Sequence, residues 1–189
     1  MKRSAVVLLF TTLFVTATSA WAIRPHPIYH YQPSVYLTPG LGIIYFSEDF
    51  ERFTGFDQVS DGIVGIDLNF RVVERLGVGV EIADVPVSRL DAKNIRRGGD
   101  VIFLNFNIFY DIPTRSNVFP FVNMGVGRME IQDPLTPDYG YSTYFFGGGL
   151  KARIHRNAGL EFSVRHMRTF LDPDIFYNTQ FRGGVSFIF

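Results

Sequence analysis

The chain has 189 residues, with 18 basic and 18 acidic side chains, 20 Phe, 9 Tyr, 18 Gly and no Cys. Its length suits one domain. The lack of cysteine excludes a disulfide scaffold and a cysteine-ligated metal site, and the balanced charge leaves no basic excess that would favour a nucleic-acid partner. The many aromatic residues favour strands over helices.

Residues 1–22 are predicted to be a cleaved signal peptide. Lys2 and Arg3 precede the apolar run 5–15, and Ala-Trp-Ala at 20–22 has the small-x-small pattern of a cleavage site. The apolar run is shorter than the roughly 20 residues that a spanning helix needs. Cleavage would leave 16 basic against 18 acidic side chains, a net charge of about −2.

The next segment, 23–33, contains three prolines and is expected to be an extended periplasmic lead-in. His26 and His30 would meet at one metal only on a helix, which the prolines oppose. We therefore predict a solvated tail, without a metal site.

From Ser34 onward the chain divides into eight segments with the alternating apolar and polar residues of β-strands. Links of longer and shorter length alternate between them, as in outer-membrane barrels, and each segment has at least the roughly 9–11 residues of a tilted spanning strand. An even strand number places both chain ends on the periplasmic side. The expected strands are 34–46, 62–73, 77–87, 99–112, 117–131, 141–154, 158–170 and 177–189, with longer links at 47–60, 88–98, 132–140 and 171–176.

The two faces of these strands decide which side meets lipid. In the second strand, Ile66 and Leu68 alternate with Asp67 and Asn69. A soluble lipocalin-like barrel would turn its apolar face inward and carry a densely charged outer face. The polar faces here instead mix Gly, Asn, Ser and a few charges of both signs, which suits a small lumen filled by side chains. The prediction is an all-β fold: a transmembrane, eight-stranded, antiparallel up-and-down β-barrel over 34–189.

Aromatic residues near the strand ends predict two interfacial belts. The outer belt would comprise Tyr45, Tyr141, Tyr144, Phe170 and Tyr177, and the periplasmic belt Phe70, Tyr110, Phe119, Phe187 and Phe189.

The last strand carries a specific resemblance. Its end, Phe187-Ile188-Phe189, is similar to the assembly signal of bacterial outer-membrane barrels. With the strand count and the links, it resembles the OmpA/OmpX-type eight-stranded barrel superfamily. The resemblance implies a location in the outer membrane, contact with its lipid and lipopolysaccharide, folding by the barrel-assembly machinery and a monomeric state.

Inward charges are the first candidate site. Buried charges need partners, since desolvation otherwise costs several kcal/mol for each ion. The expected role is a structural salt-bridge network that fills the lumen, and the alternative is a gate on a narrow ion path. The candidates are Asp67, Arg71, Glu81, Asp111, Lys151, Arg153, Glu161, Arg165 and Arg182.

A second candidate is the basic cluster of the second long link, Arg89, Lys93, Arg96 and Arg97. At the outer rim these side chains could pair with lipopolysaccharide phosphates through charge-assisted hydrogen bonds. The alternative is an ordinary solvated loop.

Enzymatic activity is not expected. Lipid A deacylases of the PagL type place a His and a Ser two residues apart on a late strand, but here His166 is followed at that position by Arg168. Ser163 would lie on the opposite face, so no Ser–His couple forms. No catalytic residues, cofactors or metal ligands are predicted. The expected function is a non-enzymatic barrel contributing to envelope integrity or surface interaction; the alternatives are a lipid A-modifying enzyme using His166 and a narrow small-solute channel.

Overall fold

The computed structural model describes residues 34–54, 56, 60–90, 96–132, 139–171 and 174–189. The predicted signal peptide and lead-in lie outside these ranges. No helix in the described ranges is long and apolar enough to cross a membrane.

The described chain forms one closed, antiparallel barrel in which every strand pairs with its neighbours in sequence. This confirms the predicted fold. The elements are β1 Ser34–Phe46, α1 Glu48–Thr54, β2 Ser60–Arg71, β3 Leu76–Leu90, β4 Arg96–Asp111, β5 Val118–Gln132, β6 Tyr139–His155, β7 Ala158–Leu171 and β8 Asp174–Ile188.

The barrel closes between its first and last strands. β8 pairs with β1 from Asn178 opposite Phe46 to Ile188 opposite Tyr36. Beyond this ladder, the Val35 and Phe189 main chains exchange two hydrogen bonds of 3.2 and 3.0 Å. Closure leaves no open sheet edge, which is a requirement for strands in a bilayer.

The strand bounds differ from the expected ones mainly at the end that carries α1. β3 and β4 pair as far as Leu90 opposite Arg96, and β7 and β8 as far as Leu171 opposite Asp174. The links 91–95 and 172–173 are therefore shorter than predicted, and the second is no longer than the turn at 156–157. Apolar alternation marks the lipid-facing span, whereas backbone pairing continues beyond it.

The outer surface of the barrel is apolar. Leu104 is 40% exposed, whereas Asn105 beside it is fully buried, as predicted for a lipid-facing and a lumen-facing residue. The same alternation runs through the other strands, except in β6, where residues 147–153 are all half-buried. Outward residues of the apolar band include Leu41, Val64, Ile66, Val78, Ile82, Phe106, Ile108, Met124, Val126, Phe146, Leu160, Phe162 and Val185.

The inside of the barrel has two different halves. One end of the barrel is formed by the links 72–75, 112–117 and 156–157, and we call it the short-turn end. Toward this end the inside is polar and charged, as predicted. Toward the α1 end it is an apolar core, which corrects the expectation of a mixed polar lumen throughout. That core contains Ile44, Phe46, Phe50, Phe56, Ile63, Ala83, Val85, Val87, Val101, Phe103, Met129, Ile131, Phe145, Met167 and Phe176.

The helix α1 lies within the segment predicted to be a polar loop. Its Phe50 is fully buried and stacks on Phe46, with ring centroids 4.0 Å apart, and it also contacts Phe176 at 5.2 Å. Because these rings are removed from water together, the helix is docked onto the apolar core and covers this end of the barrel.

The aromatic belts are partly confirmed. Tyr45, Tyr144, Phe170 and Tyr177 point outward at the α1 end. Tyr141 instead packs against the internal core, and its place in the outer belt was wrong. Phe119 lies opposite the lumen residue Lys151 in the β5–β6 register and therefore also points inward. Its assignment to the periplasmic belt was wrong too.

Candidate functional site

Four of the predicted lumen charges form a central cluster at mid-height in the barrel. Asp67 comes from β2, Glu81 from β3, Arg165 from β7 and Arg182 from β8, and all four are buried. Alternation along each strand turns these residues inward, and closure of the sheet brings the four strands together across the lumen.

Each arginine of the central cluster contacts both acids. Arg182 lies 2.8 Å from Glu81 and 3.2 Å from Asp67, while Arg165 lies 3.3 Å from Asp67 and also contacts Glu81. Two positive and two negative charges therefore cancel within one buried group. Such mutual pairing offsets the several kcal/mol that each isolated ion would lose on leaving water.

Neighbouring polar groups extend this cluster. Asn105 donates an amide hydrogen bond of 3.5 Å to Glu81, and the Thr143 hydroxyl donates to the Asn105 carbonyl at 3.4 Å. Gly65 leaves space for the Arg182 guanidinium, since a Cβ there would lie 2.8 Å from Nη2.

A second ionic group fills the lumen near the short-turn end. Asp111 pairs with Arg71 and, at 3.1 Å, with Lys151. The Lys151 ammonium also lies 4.1 Å from the Phe109 ring centroid and 4.5 Å from that of Phe121, within cation–π range. This cation is thus held by one carboxylate and by aromatic faces.

The remaining two predicted lumen charges lie at the margins of these groups. Glu161 stands opposite Lys151 in the β6–β7 register and lines a narrow cavity with Asp67 and Arg182. Arg153 is at the short-turn end of β6, where it donates to the Arg156 carbonyl at 2.8 Å. It belongs to the rim, outside the central cluster.

The predicted basic cluster is only partly described. Arg89 and Arg97 face each other in the β3–β4 register, and Arg96 stands opposite Leu90. Three of the four residues thus belong to paired strands and not to a loop, while Lys93 lies outside the described residues.

His166 points outward, toward lipid. Its Nδ1 lies 3.2 Å from the Thr179 hydroxyl, its ring stacks on Tyr177 with centroids 5.7 Å apart, and Phe146 meets it edge-on at 5.9 Å. Ser163 is buried on the lumen side of the same strand, as expected. In the described part of the chain, no group of three or more metal-ligating side chains occurs.

The structure also shows an outward site that sequence reasoning missed. We name it the outer-face cluster: Tyr144 on β6, His166, Arg168 and Phe170 on β7, and Tyr177 and Thr179 on β8. Tyr144, Arg168 and Tyr177 stand opposite one another in the strand register. The only sequence signal was a charged residue in an apolar series, because the partners lie on separate strands.

Within this cluster the Arg168 guanidinium is surrounded by rings. Its Cζ lies 5.4 Å from the Tyr177 centroid, 5.8 Å from Phe170 and 5.9 Å from Tyr144, and Nη1 donates to the Tyr144 hydroxyl at 2.9 Å. Its Nε is buried without a hydrogen-bond partner among the described residues.

A closed barrel with an apolar exterior and a partly charged interior defines an integral β-barrel protein of the outer membrane. The chain belongs to the outer membrane protein beta-barrel domain family, whose model matches residues 6–189. It is therefore an outer-membrane protein of the OmpA-like type, as the resemblance of its last strand implied.

Solved structures share the fold at low sequence identity. Neisserial surface protein A matches with a TM-score of 0.62 and 13% identity, over 82% of this chain and 99% of that one. The N-terminal barrel of Pseudomonas aeruginosa OprF matches with a TM-score of 0.56 and 15% identity, over 84% and 100%. Ail of Yersinia pestis, in complex with the heparin analogue sucrose octasulfate, matches with a TM-score of 0.54 and 12% identity, over 84% and 100%. No curated protein matches the chain.

Proposed function

We propose that this protein is a non-enzymatic, non-conducting barrel that contributes to the integrity of the outer membrane and interacts with its surroundings through its outer end. The observation that carries this proposal is the apolar core in the α1 half of the lumen. Fully buried side chains such as Phe103, Phe145 and Met129 occupy that half, and Phe50 of α1 covers them. An apolar, close-packed layer of this kind leaves no room for a hydrated ion.

The charged groups beneath this core support the same proposal. The central cluster has equal numbers of positive and negative charges, and every one of its members contacts two partners. A cluster whose charges satisfy one another stabilises a fixed arrangement, so we assign it a structural role. Gating would require these contacts to exchange partners in a space with little free volume.

Planar-bilayer recording of the refolded protein tests this proposal. We expect no discrete conductance steps from the unaltered protein under conditions in which a general porin conducts. Phe50→Ser together with Phe103→Ser would remove two rings from the apolar core. An ion conductance that appears only in this double variant would show that the apolar core is what blocks conduction. Stable single-channel steps from the unaltered protein would overturn the proposal and favour the small-solute channel.

We also propose that the extracellular end of the barrel, which is the end that carries α1, contacts anionic glycans. Arg89, Lys93, Arg96 and Arg97 are close together in sequence at this end and would pair with lipopolysaccharide phosphates. Ail, which shares the fold, binds a sulfated heparin analogue in its crystal structure. Replacing all four residues by Gln should reduce binding of intact cells to a heparin column without changing the amount of folded barrel.

One observation favours a second candidate, a lipid-modifying enzyme. The Thr179 hydroxyl lies within hydrogen-bond distance of His166 on the lipid-facing surface, which supplies the nucleophile–base pair that sequence reasoning did not find. No described carboxylate contacts the His166 ring to orient it. Lipid A mass spectra of cells expressing the protein, His166→Gln or Thr179→Val should be identical if the protein is not an enzyme. A mass change that both substitutions abolish would establish the second candidate.

A further inference from the structure

We propose that the outer-face cluster binds a phosphate group of lipopolysaccharide, with Arg168 as the anion-binding group and the surrounding aromatic rings as the walls of the site. This deepens the proposed function by adding a lipopolysaccharide site on the lipid-facing side of the barrel. It rests on the placement of the barrel in the outer membrane and does not depend on whether the lumen is sealed.

The charge of Arg168 lacks an acidic partner. Among the described residues, no carboxylate lies within ion-pair distance of its guanidinium, which contacts only the Tyr144 hydroxyl and three aromatic faces. Arg128 on β5 provides the contrast, since it also points outward but pairs with Glu130 at 3.0 Å. Of these two outward arginines, Arg168 is therefore the one whose donors remain available to an anion.

The aromatic neighbours hold this guanidinium in a fixed position. Contact with rings on three adjacent strands limits its rotation, and the Tyr144 hydroxyl accepts from Nη1. Nη1 and Nη2 lie on one edge of the planar group, and this edge matches the spacing of two phosphate oxygens. An arginine that is already ordered loses less conformational entropy when it binds a phosphate.

The depth of the cluster matches the phosphate level of the outer leaflet. About ten residues of β7 separate Arg168 from Ala158 at the short-turn end, and ~3.3 Å per residue at a tilt of ~40° gives a height of about 25 Å. This is the height of the apolar band in such barrels. The end that carries α1 and the longest link is the extracellular one, so Arg168 lies at the outer boundary of the hydrocarbon layer.

The direction in which the cluster faces identifies the source of the phosphate. On the same strand face, Leu160, Phe162 and Val164 continue the apolar surface below His166 toward the other leaflet. A soluble anion would have to reach Arg168 past the lipid headgroups, whereas a lipid places its phosphate there while its acyl chains cover the apolar residues. Lipopolysaccharide supplies phosphates at this level in the outer leaflet.

Native mass spectrometry of the full-length protein refolded in detergent tests the proposal. The probes are bisphosphorylated lipid A, the same lipid after removal of both phosphates, and inorganic phosphate. We expect the dissociation constant for the phosphorylated lipid to be lower by about tenfold or more, because a charge-assisted bond to phosphate is lost with the dephosphorylated one. Equal binding of the two lipids would overturn the proposal.

Variants locate the site. In a protein whose Arg89, Lys93, Arg96 and Arg97 are already replaced by Gln, Arg168→Gln should remove the preference for the phosphorylated lipid. The matched control Arg128→Gln in the same background should retain it. Arg168→Lys should keep only part of the preference, because an ammonium lacks the two-pronged geometry of a guanidinium. Unchanged preference in Arg168→Gln, or an equal loss in Arg128→Gln, would refute the assignment. Heat-modified migration on gels confirms that each variant is folded.

Two further experiments distinguish a lipid phosphate from a free anion and provide a substitute if one variant misfolds. Millimolar inorganic phosphate that displaces the lipid would show a site for a free anion, and this would overturn the lipid assignment. If Arg168→Gln misfolds, Tyr144→Phe provides the test, because it removes the hydroxyl that holds Nη1 and should weaken the phosphate preference alone. Conductance measurements are independent of all these outcomes, so failure of the sealed lumen and failure of the lipid site can be told apart.

Discussion

The guanidinium of Arg182 on β8 lies 2.8 Å from the carboxylate of Glu81 on β3, two strands that are not hydrogen-bonded neighbours in the barrel. The contact crosses the lumen, so it ties opposite walls together in a way that backbone ladders between adjacent strands do not. Glu81 is fully buried and also contacts Arg165. Its removal would leave two arginines facing one remaining acid.

Glu81→Gln is therefore expected to destabilise the barrel strongly. Breaking a buried ion pair leaves uncompensated charge and lowers the free energy of unfolding by about 3–5 kcal/mol. Urea unfolding in phospholipid vesicles measures this change. The control is Glu130→Gln, which breaks the outward Arg128–Glu130 pair. Exposed pairs contribute at most about 1 kcal/mol, so similar losses in both variants would contradict a structural central cluster.

Asn105→Asp should be more damaging than Asn105→Ala. Sequence reasoning alone predicts that an Asp at this lumen position is tolerated, because Arg165 or Arg182 could pair with it. In the structure the Asn105 amide donates to Glu81 at 3.5 Å, so an Asp would place a second carboxylate against that acid and remove its donor. Urea unfolding of both variants gives the order. Greater stability of Asn105→Asp than of Asn105→Ala would show that the arginines rearrange to bind it.

The lipid face can be tested with single cysteines, since the chain has none. A bimane label on Leu104→Cys should be quenched by brominated lipids, whereas Asn105→Cys should be insensitive to them, because Leu104 points outward and Asn105 inward. Leu104→Arg should cost about 2–4 kcal/mol near the bilayer midplane. Absence of lipid quenching at position 104 would argue against an apolar exterior in contact with lipid.

Phe50→Ala should release α1 from the apolar core. Phe50 is fully buried against Phe46, and Arg52 of the same helix is exposed as a trypsin site. Loss of the ring favours local undocking, and each 1.4 kcal/mol lost raises the open population about tenfold. Trypsin should cut after Arg52 at least roughly ten times faster in folded protein. Glu48→Ala, at an exposed position of the helix, should leave the rate unchanged; equal acceleration there would mean that the ring does not hold the helix.

In the last strand, the role of the Phe189 side chain can be tested separately from the role of its main chain. The Phe189 ring is exposed, while its backbone exchanges two hydrogen bonds with Val35. If the ring is the assembly signal, Phe189→Ser should reduce outer-membrane insertion in cells and leave urea stability of the refolded barrel nearly intact. Deletion of the residue should reduce both. Normal insertion of Phe189→Ser, measured by heat-modified migration, would place the signal elsewhere.

The sequence by itself determined the number of strands, their order and, for most strand residues, the face of the barrel on which they lie. Leu104 and Asn105 show why: alternation has a period of two along a single strand, so it can be interpreted without knowing any partner strand. The same alternation identified the inward charges. It did not predict the apolar core, because the inward residues Val101 and Phe103 are as apolar as the outward residue Leu104.

Only the tertiary structure decided which residues meet. Asp67 pairs with Arg165 and Arg182 because closure of the sheet brings β2 close to β7 and β8, and no local pattern encodes that contact. Arg168 is likewise an isolated cation in sequence, and the strand register places it between Tyr144 and Tyr177. Local periodicity determines the direction in which a side chain points, whereas strand register and barrel closure, which depend on the packing of all eight strands, determine its neighbours.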